Sequence, residues 1–224
     1  MAATSHPAST LAALDIMKAG GTAIDAAIGA CAVQCVVEAG STGVGGDCFV
    51  LYSRGGSTDV LAYNGSGRTP AAATLDWYAK AGITALERHS PHVVTVPGAI
   101  DAWTRLNKDH GRLPLSEVLA PAIAYAHDGY ALTPRVAYDL AAQHETLIRD
   151  ANASATFLVD GKAPPAGTVP RQPALADTLE AIVEAVDEGM THQPAAGDVV
   201  ALTHLLLRQR RLLEALGLDG PAEA

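Results

Sequence analysis

AIDAAIGACAVQCVVE (23–38), followed closely by STGVGGDCF (41–49), decides how the rest of this chain is read. The first stretch is apolar on nearly every side of a 3.6-residue period, which predicts a helix buried all round rather than a surface helix. The second carries Gly43, Gly45 and Gly46, then an acid, a thiol and an aromatic. Such a run belongs to a backbone that must approach something closely: a phosphate, a packed neighbour or the floor of an active site. A phosphate fits worst. Gly43, Gly45 and Gly46 give G-x-G-G, with Cys48 where the dinucleotide fingerprint needs its last glycine. A helix precedes the loop and a strand follows it, the reverse of the fingerprint's order, and no lysine follows to complete a P-loop.

Working outward, residues 9–19 carry Leu11, Leu14, Ile16 and Met17 at helical spacing and stop at Gly20-Gly21. On the far side, FVLYS (49–53) and DVLAYNG (59–65) flank Arg54-Gly55-Gly56-Ser57, the signal of a hairpin. GSGRTPAAAT (65–74) has no regular structure, and residues 76–80 make a helical turn. HVVTVPG (92–98) reads as a short β-branched strand closed by Pro97-Gly98. Helices are expected over 99–109, over 115–127 with Ser116 and Glu117 at its start, and over 134–149, 178–186 and 199–216, with a surface excursion over 152–171. Helices outnumber strands, and so few strands cannot make a complete sheet of usual size. The chain therefore contributes strands and covering helices to a sheet completed by something else.

Composition bounds the function. The 224 residues are 49% hydrophobic and 17% charged, a well-buried globular chain with a sizeable core. Only 4% are aromatic, so alanine, valine and leucine must fill that core. A formal charge of −9 argues against nucleic acid or an anionic membrane as partner, since both are held by basic patches. No stretch has the length and apolarity of a membrane span, and MAATSHPAST carries no basic region with an apolar run behind it. The 3 cysteines, Cys31, Cys35 and Cys48, suggest no disulfide framework. A cytoplasmic location is expected. Cys31 and Cys35 lie four apart on the buried helix without further ligands and are read as small core residues. His89 and His92 have no second ligand pair, so no metal site is expected. Gly65-Ser66-Gly67 lacks the outer glycine spacing of a serine nucleophile elbow.

The loops taken together carry a resemblance. TSHPASTLAALDIMKAGGTAIDAAIGA (4–30) resembles, almost position by position, the opening of the gamma-glutamyltranspeptidase family. The likeness continues through Glu38 and the glycine loop, the hairpin, TPAAAT (69–74), VTVPGAIDAW (94–103), HGRLPLSEVLAPAIAYAHDGY (110–130), TPR (133–135) and QPALADTL (172–179). It spans residues 3–186, and residues 187–224 form a divergent or truncated tail. The resemblance implies an α+β fold: the helix-rich, strand-poor large-subunit half of an αββα N-terminal-nucleophile hydrolase. It implies a precursor that cuts itself in two, an N-terminal threonine on the small subunit as nucleophile with its own amine as base, and a small amide as substrate. No cofactor is implied. The partner would be that small catalytic subunit, from the same precursor or a separate chain. The glycine loop would then pack close to the shared core beside the substrate pocket.

Two departures from the family pattern stand out. Family members carry an arginine after the hairpin that grips the substrate's α-carboxylate; alignment on Pro70 and the alanines after it puts Ser66 there, with Arg68 two positions later. A hydroxyl cannot replace a bidentate guanidinium, which makes glutathione a doubtful substrate. N-G-S-G-R-x-P instead resembles the branch containing oxamate-type amidohydrolases. Arg68 either holds a small carboxylate from its shifted position or pairs with a surface acid. The second departure is the nucleophile. Gly189-Met190-Thr191-His192 only echoes the family's threonine motif, with methionine in the nucleophile's place, so Thr191 is a weak candidate and the catalytic residue is expected outside this chain. The pocket-wall candidates are Asn64, Ser66, Arg68, Gly45 and Gly46. The clustered Arg208, Arg210 and Arg211 beside leucines suit a helix that covers a partner or a solvated surface helix. The alternatives to an enzyme subunit are a non-catalytic, partner-binding member or remnant of the family and, less consistent with the loop order, a stand-alone nucleotide-binding domain.

Overall fold

Thr22 starts the buried helix by a reciprocal cap. Its Oγ1 accepts from the Asp25 N–H at 3.2 Å while Asp25 Oδ2 accepts from the Thr22 N–H at 2.8 Å, satisfying two of the donors a helix start leaves open. In the computed structural model, which describes residues 1–87 and 90–187, this helix is α2, Ala23–Val37. Eleven positions along it are buried, among them Ile24, Ile28, Val33, Val36 and Val37, as the all-round apolar pattern requires. Each large side chain so buried is worth about 1.5–3 kcal/mol of transfer free energy.

The chain divides into two compact units. One combines Met1–Gly43 with Leu106–Glu188. In it α2 packs against α1 (Pro7–Lys18) and α5 (Leu115–Asp128), and α5 packs against α9 (Pro173–Asp187). Small residues allow this closeness: a Cβ at Gly29 would overlap Ile16 of α1 and come within 2.9 Å of the Val118 carbonyl of α5. Gln172, at the entry to α9, donates from Nε2 to the Val36 carbonyl at 2.9 Å and so closes the end of α2. Asp25 does more than cap. Its fully buried carboxyl group also accepts from Asn107 Nδ2 and the Arg112 N–H, both at 2.8 Å, and from the Leu113 N–H at 3.4 Å, tying the start of α2 to the turn before α5.

At the start of α1, His6 caps through Nδ1, which accepts from the Ala8 N–H at 3.2 Å, and Pro7 occupies the first helical position. Burial lowers the His6 pKa, against the opposing effect of Glu38. Ser5 donates to Glu38, and Gln34 Nε2 donates to both, at 2.6 Å to Ser5 Oγ and 2.9 Å to Glu38.

The other unit contains Val44–Arg105. Strands β1 (Cys48–Ser53) and β2 (Val60–Gly65) form an antiparallel hairpin in the register Cys48↔Gly65 to Ser53↔Val60. A 3-10 turn, Arg54–Gly56, joins them, with Gly55 and Gly56 at φ 61° and 75°. Short helix α3 (Leu75–Lys80) follows, capped by Thr74. Helix α4, Gly98–His110, begins in this unit and runs on past its boundary.

Several expectations need correction. Residues 92–98 form no strand: a 3-10 turn covers Pro91–Val93, and the Val96 N–H is spent on the Arg68 carbonyl at 2.8 Å rather than on a ladder. The helix expected over 134–149 is two, α6 (Pro134–Ala142) and α7 (His144–Leu147). At the start of α7 the His144 ring donates from Nε2 to the Gly161 carbonyl at 2.8 Å, and that bond raises its pKa. Helix α5 starts after Pro114 without a side-chain cap, so Ser116 does not start it. A further short helix, α8 (Ala151–Phe157), lies within the expected excursion. Cys35 is buried as expected, but Cys31 is exposed. His92 packs its ring 5.5 Å from Trp77 and 5.6 Å from Tyr78, an aromatic neighbour rather than a ligand. His89, Thr191 and the helix expected over 199–216 lie outside the described residues. Among the described residues no helix is long and apolar enough to cross a membrane.

Candidate functional site

The sequence-predicted residues converge on the open end of the hairpin, where Cys48 pairs with Gly65. Strand alternation sends Cys48, Val50 and Tyr52 to one face and Phe49, Leu51 and Ser53 to the other. The first face meets α4. Tyr63 donates its hydroxyl to Asp101 Oδ2 at 2.9 Å, and Arg105 Nε donates to Asp101 Oδ1 at 2.8 Å. Burial first, and the Asp101 acceptor second, push the Tyr63 phenol up to about 12. Burial raises the Cys48 thiol pKa, with the Trp103 side chain acting in the opposite direction. The raised pKa disfavours the thiolate, the reactive form of a cysteine.

The glycine loop approaches the start of α4. The Gly46 carbonyl accepts from both the Gly98 and Ala99 N–H groups at 3.1 Å, satisfying donors that a helix start leaves open. Gly45 does not take part in this approach: a Cβ there would meet nothing within 4 Å. Of the two glycines predicted to wall the site, only Gly46 is held against a neighbour.

Beyond β2 the chain turns sharply. Asn64 Oδ1 accepts from the Ser66 N–H at 3.1 Å, Ser66 O accepts from Thr95 Oγ1 at 3.2 Å, and Arg68 O accepts from the Val96 N–H at 2.8 Å. Between them Gly67 sits at φ 76°, where a Cβ would overlap the Val96 carbonyl. A Cβ at Gly98 would overlap the Gly65 carbonyl and the Gly67 nitrogen. Backbone from three segments thus interlocks with no room for side chains, while Asn64, Ser66 and Arg68 remain exposed on its outside. Chemically the arrangement offers an amide, a hydroxyl and a guanidinium for polar contacts. Among the described residues no group of three or more His, Cys, Asp or Glu side chains is placed to hold a metal ion.

Sequence reasoning found the glycine loop and the 64–68 segment but missed Tyr63, Thr95 and Asp101, which fix them. The V-P-G before α4 was a usable signal for a tight approach; the Tyr63–Asp101 pairing, across 38 positions, left none.

Residues 9–198 match the gamma-glutamyltranspeptidase family model. The chain belongs to that family. Oxamate amidohydrolase proenzyme of Klebsiella pneumoniae is 38% identical over 189 residues, covering 80% of this chain and 34% of that protein. A glutathione hydrolase-like proenzyme of Bacillus subtilis is 35% identical over 184 residues, covering 82% and 35%. Among solved structures, cephalosporin acylase from Bacillus halodurans superposes with a TM-score of 0.79 at 36% identity, over 96% of this chain and 39% of that one. Gamma-glutamyltranspeptidase of Helicobacter pylori superposes with a TM-score of 0.77 at 25% identity, over 89% and 58%. The likeness bears out the α+β, N-terminal-nucleophile hydrolase fold of this gamma-glutamyltranspeptidase-family chain. The chain spans about a third of the length of these curated relatives.

Proposed function

We propose that this gamma-glutamyltranspeptidase-family chain is the non-nucleophile subunit of an amide hydrolase or acyltransferase, with the catalytic threonine at the head of a separate small subunit. The observation that carries the reading is the bare face of the hairpin. Phe49, Leu51 and Val60 are 64%, 79% and 59% exposed on a sheet that has two strands among the described residues. A two-stranded ribbon with one face in solvent is marginal by itself. Three large apolar side chains on it belong against another layer.

In this reading the threonine hydroxyl attacks the amide carbon, its own α-amine takes the proton, and backbone donors hold the oxyanion. The C–N bond breaks as the amine leaves with a proton. Water or a second amine then takes the acyl group from the ester and regenerates the threonine. This chain supplies pocket wall: Asn64, Ser66 and Arg68 toward substrate, with Gly45 and Gly46 in the neighbouring loop. The kinship with an oxamate amidohydrolase favours a small amide as substrate.

Intact-mass measurement and N-terminal sequencing of whatever purifies with the chain from its source test this. A stoichiometric second chain beginning with threonine, and amide cleavage by the pair, are the expected results. If the chain purifies alone at full yield and cleaves no amide, the enzyme reading fails and a non-catalytic, partner-binding role takes its place.

A further inference from the structure

We propose that the groove between α5 and α9 is the seat of residues 199–216 of this same chain. The proposal goes beyond the enzymatic reading and stands without it. The groove measures about 540 Å³. Its floor is apolar: Ala120 and Ala124 of α5 lie exposed one turn apart, with half-buried Ile123 and Val183 beside them. Alanines at that spacing leave room for the backbone of a third helix to come close.

The rim is acidic. Glu180 and Glu184 stand four apart on α9, both exposed at the edge of the groove, a spacing at which like charges repel. Among the described residues no cation pairs with either of them. Asp128 supplies an acid on the α5 side, where it meets His127 Nδ1 at 2.8 Å. The complement of such a groove is an apolar stripe with a cation on each flank.

Residues 199–216, which lie outside the described residues and beyond the part matched to the family model, carry that complement in their sequence. In the helix predicted there, 3.6 residues per turn put Leu202, Leu205, Leu206, Leu212, Leu213 and Leu216 on one stripe. Arg208 and Arg210 fall on its opposite flanks. The leucines match the floor, and the two arginines match the acids of α9 and α5. Reach is no obstacle. Helix α9 ends at Asp187, about 5 Å along its axis from Glu184, and residues 188–198 span roughly 35 Å when extended. A tether of that length holds the segment near the groove at an effective concentration on the order of millimolar, an advantage over any free partner of the same chemistry.

The test is cross-linking in the whole chain. Arg208→Lys and Arg210→Lys each give a water-soluble carbodiimide an amine to couple to a neighbouring carboxylate. Isotope-labelled and unlabelled chains are mixed and cross-linked, and the linked peptides are identified by mass. Expected are links from position 208 or 210 to Glu180, Glu184 or Asp128 within one chain. They should exceed by about tenfold or more the links to Glu145 of α7, whose side chain is 86% exposed. Ala124→Trp and Ala120→Trp each fill the cleft from an exposed position and should cut those links about tenfold, with the circular dichroism spectrum unchanged. Links that join labelled to unlabelled chains, in place of links within one chain, overturn the proposal in favour of a second copy. Links no more frequent than those to Glu145, or undiminished by both tryptophan variants, overturn it outright.

Discussion

At Gly67 two independent costs coincide. A side chain at φ 76° would sit in the left-handed region, worth about 1–2 kcal/mol against an L-residue. Its Cβ would also overlap the Val96 carbonyl, a backbone atom that cannot swing away. Gly67→Ala should therefore lower stability by about 2 kcal/mol or more, while Gly45→Ala, facing open space, should change it by less than about 0.5. Urea denaturation of the two variants compares them directly, and equal losses would refute the interlocked turn. His6 offers a residue-scale pH test. Burial lowers its folded pKa below the ordinary 6.5, so between the two values the unfolded chain binds more protons and stability rises with pH. Acidification from pH 7 through 6.5 and below should thus destabilise the protein. His6→Asn keeps a capping side chain and should remove part of that slope. A Tm-against-pH profile unchanged by the substitution would count against the buried-cap account.

At the scale of elements, α2 and the hairpin were legible because each satisfies local rules. The all-round apolar run 23–38 predicts burial, and a four-residue turn with two glycines predicts the pairing of 49–53 with 59–65, observed as 48–53 with 60–65. The missing strand at 92–98 shows the limit: its β-branched residues describe a preference, but a strand exists only where a neighbour takes its N–H groups. Val96 gives its own to Arg68. The break between α6 and α7 was equally invisible: no glycine or proline marks Gln143, and the His144–Gly161 bond beside it joins residues 17 apart. The role of Asp25 was half visible. Thr22-x-x-Asp25 is a capping signature, yet nothing local announces Asn107, Arg112 and Leu113 as further donors. Those donors make a strong prediction. Asp25→Ala strips several buried N–H groups of their acceptor and should cost about 3 kcal/mol or more. Asp25→Asn should help little, since an NH₂ would face donors on at least one side. Denaturation midpoints within experimental error of the wild type for both variants would dismiss this tie between the turn and α2.

For the whole molecule the decisive question is what the bare hairpin face is for. Tyr63 and Cys48 spend one face on α4; Phe49 and Leu51 leave the other in solvent. Evolution tolerates scattered exposed apolar side chains, but two alternate positions of one strand together with Val60 across the hairpin make a surface of the kind that partners cover. In the isolated chain such side chains add little to stability, so Leu51→Asp should leave the denaturation midpoint nearly unchanged. In the assembly the same change places a carboxylate in an apolar layer, and a loss at such a buried position amounts to about 2–4 kcal/mol of association, or roughly 30- to 1,000-fold in Kd. Leu75→Asp on α3, 88% exposed and outside the hairpin, supplies the comparison and should leave association intact. Sedimentation of each variant with the threonine-led chain measures both. Loss of assembly confined to Leu51→Asp would identify the hairpin face as the contact through which this chain reaches its catalytic partner. Equal assembly of the two variants would require the partner to dock elsewhere and leave the exposed hairpin unexplained.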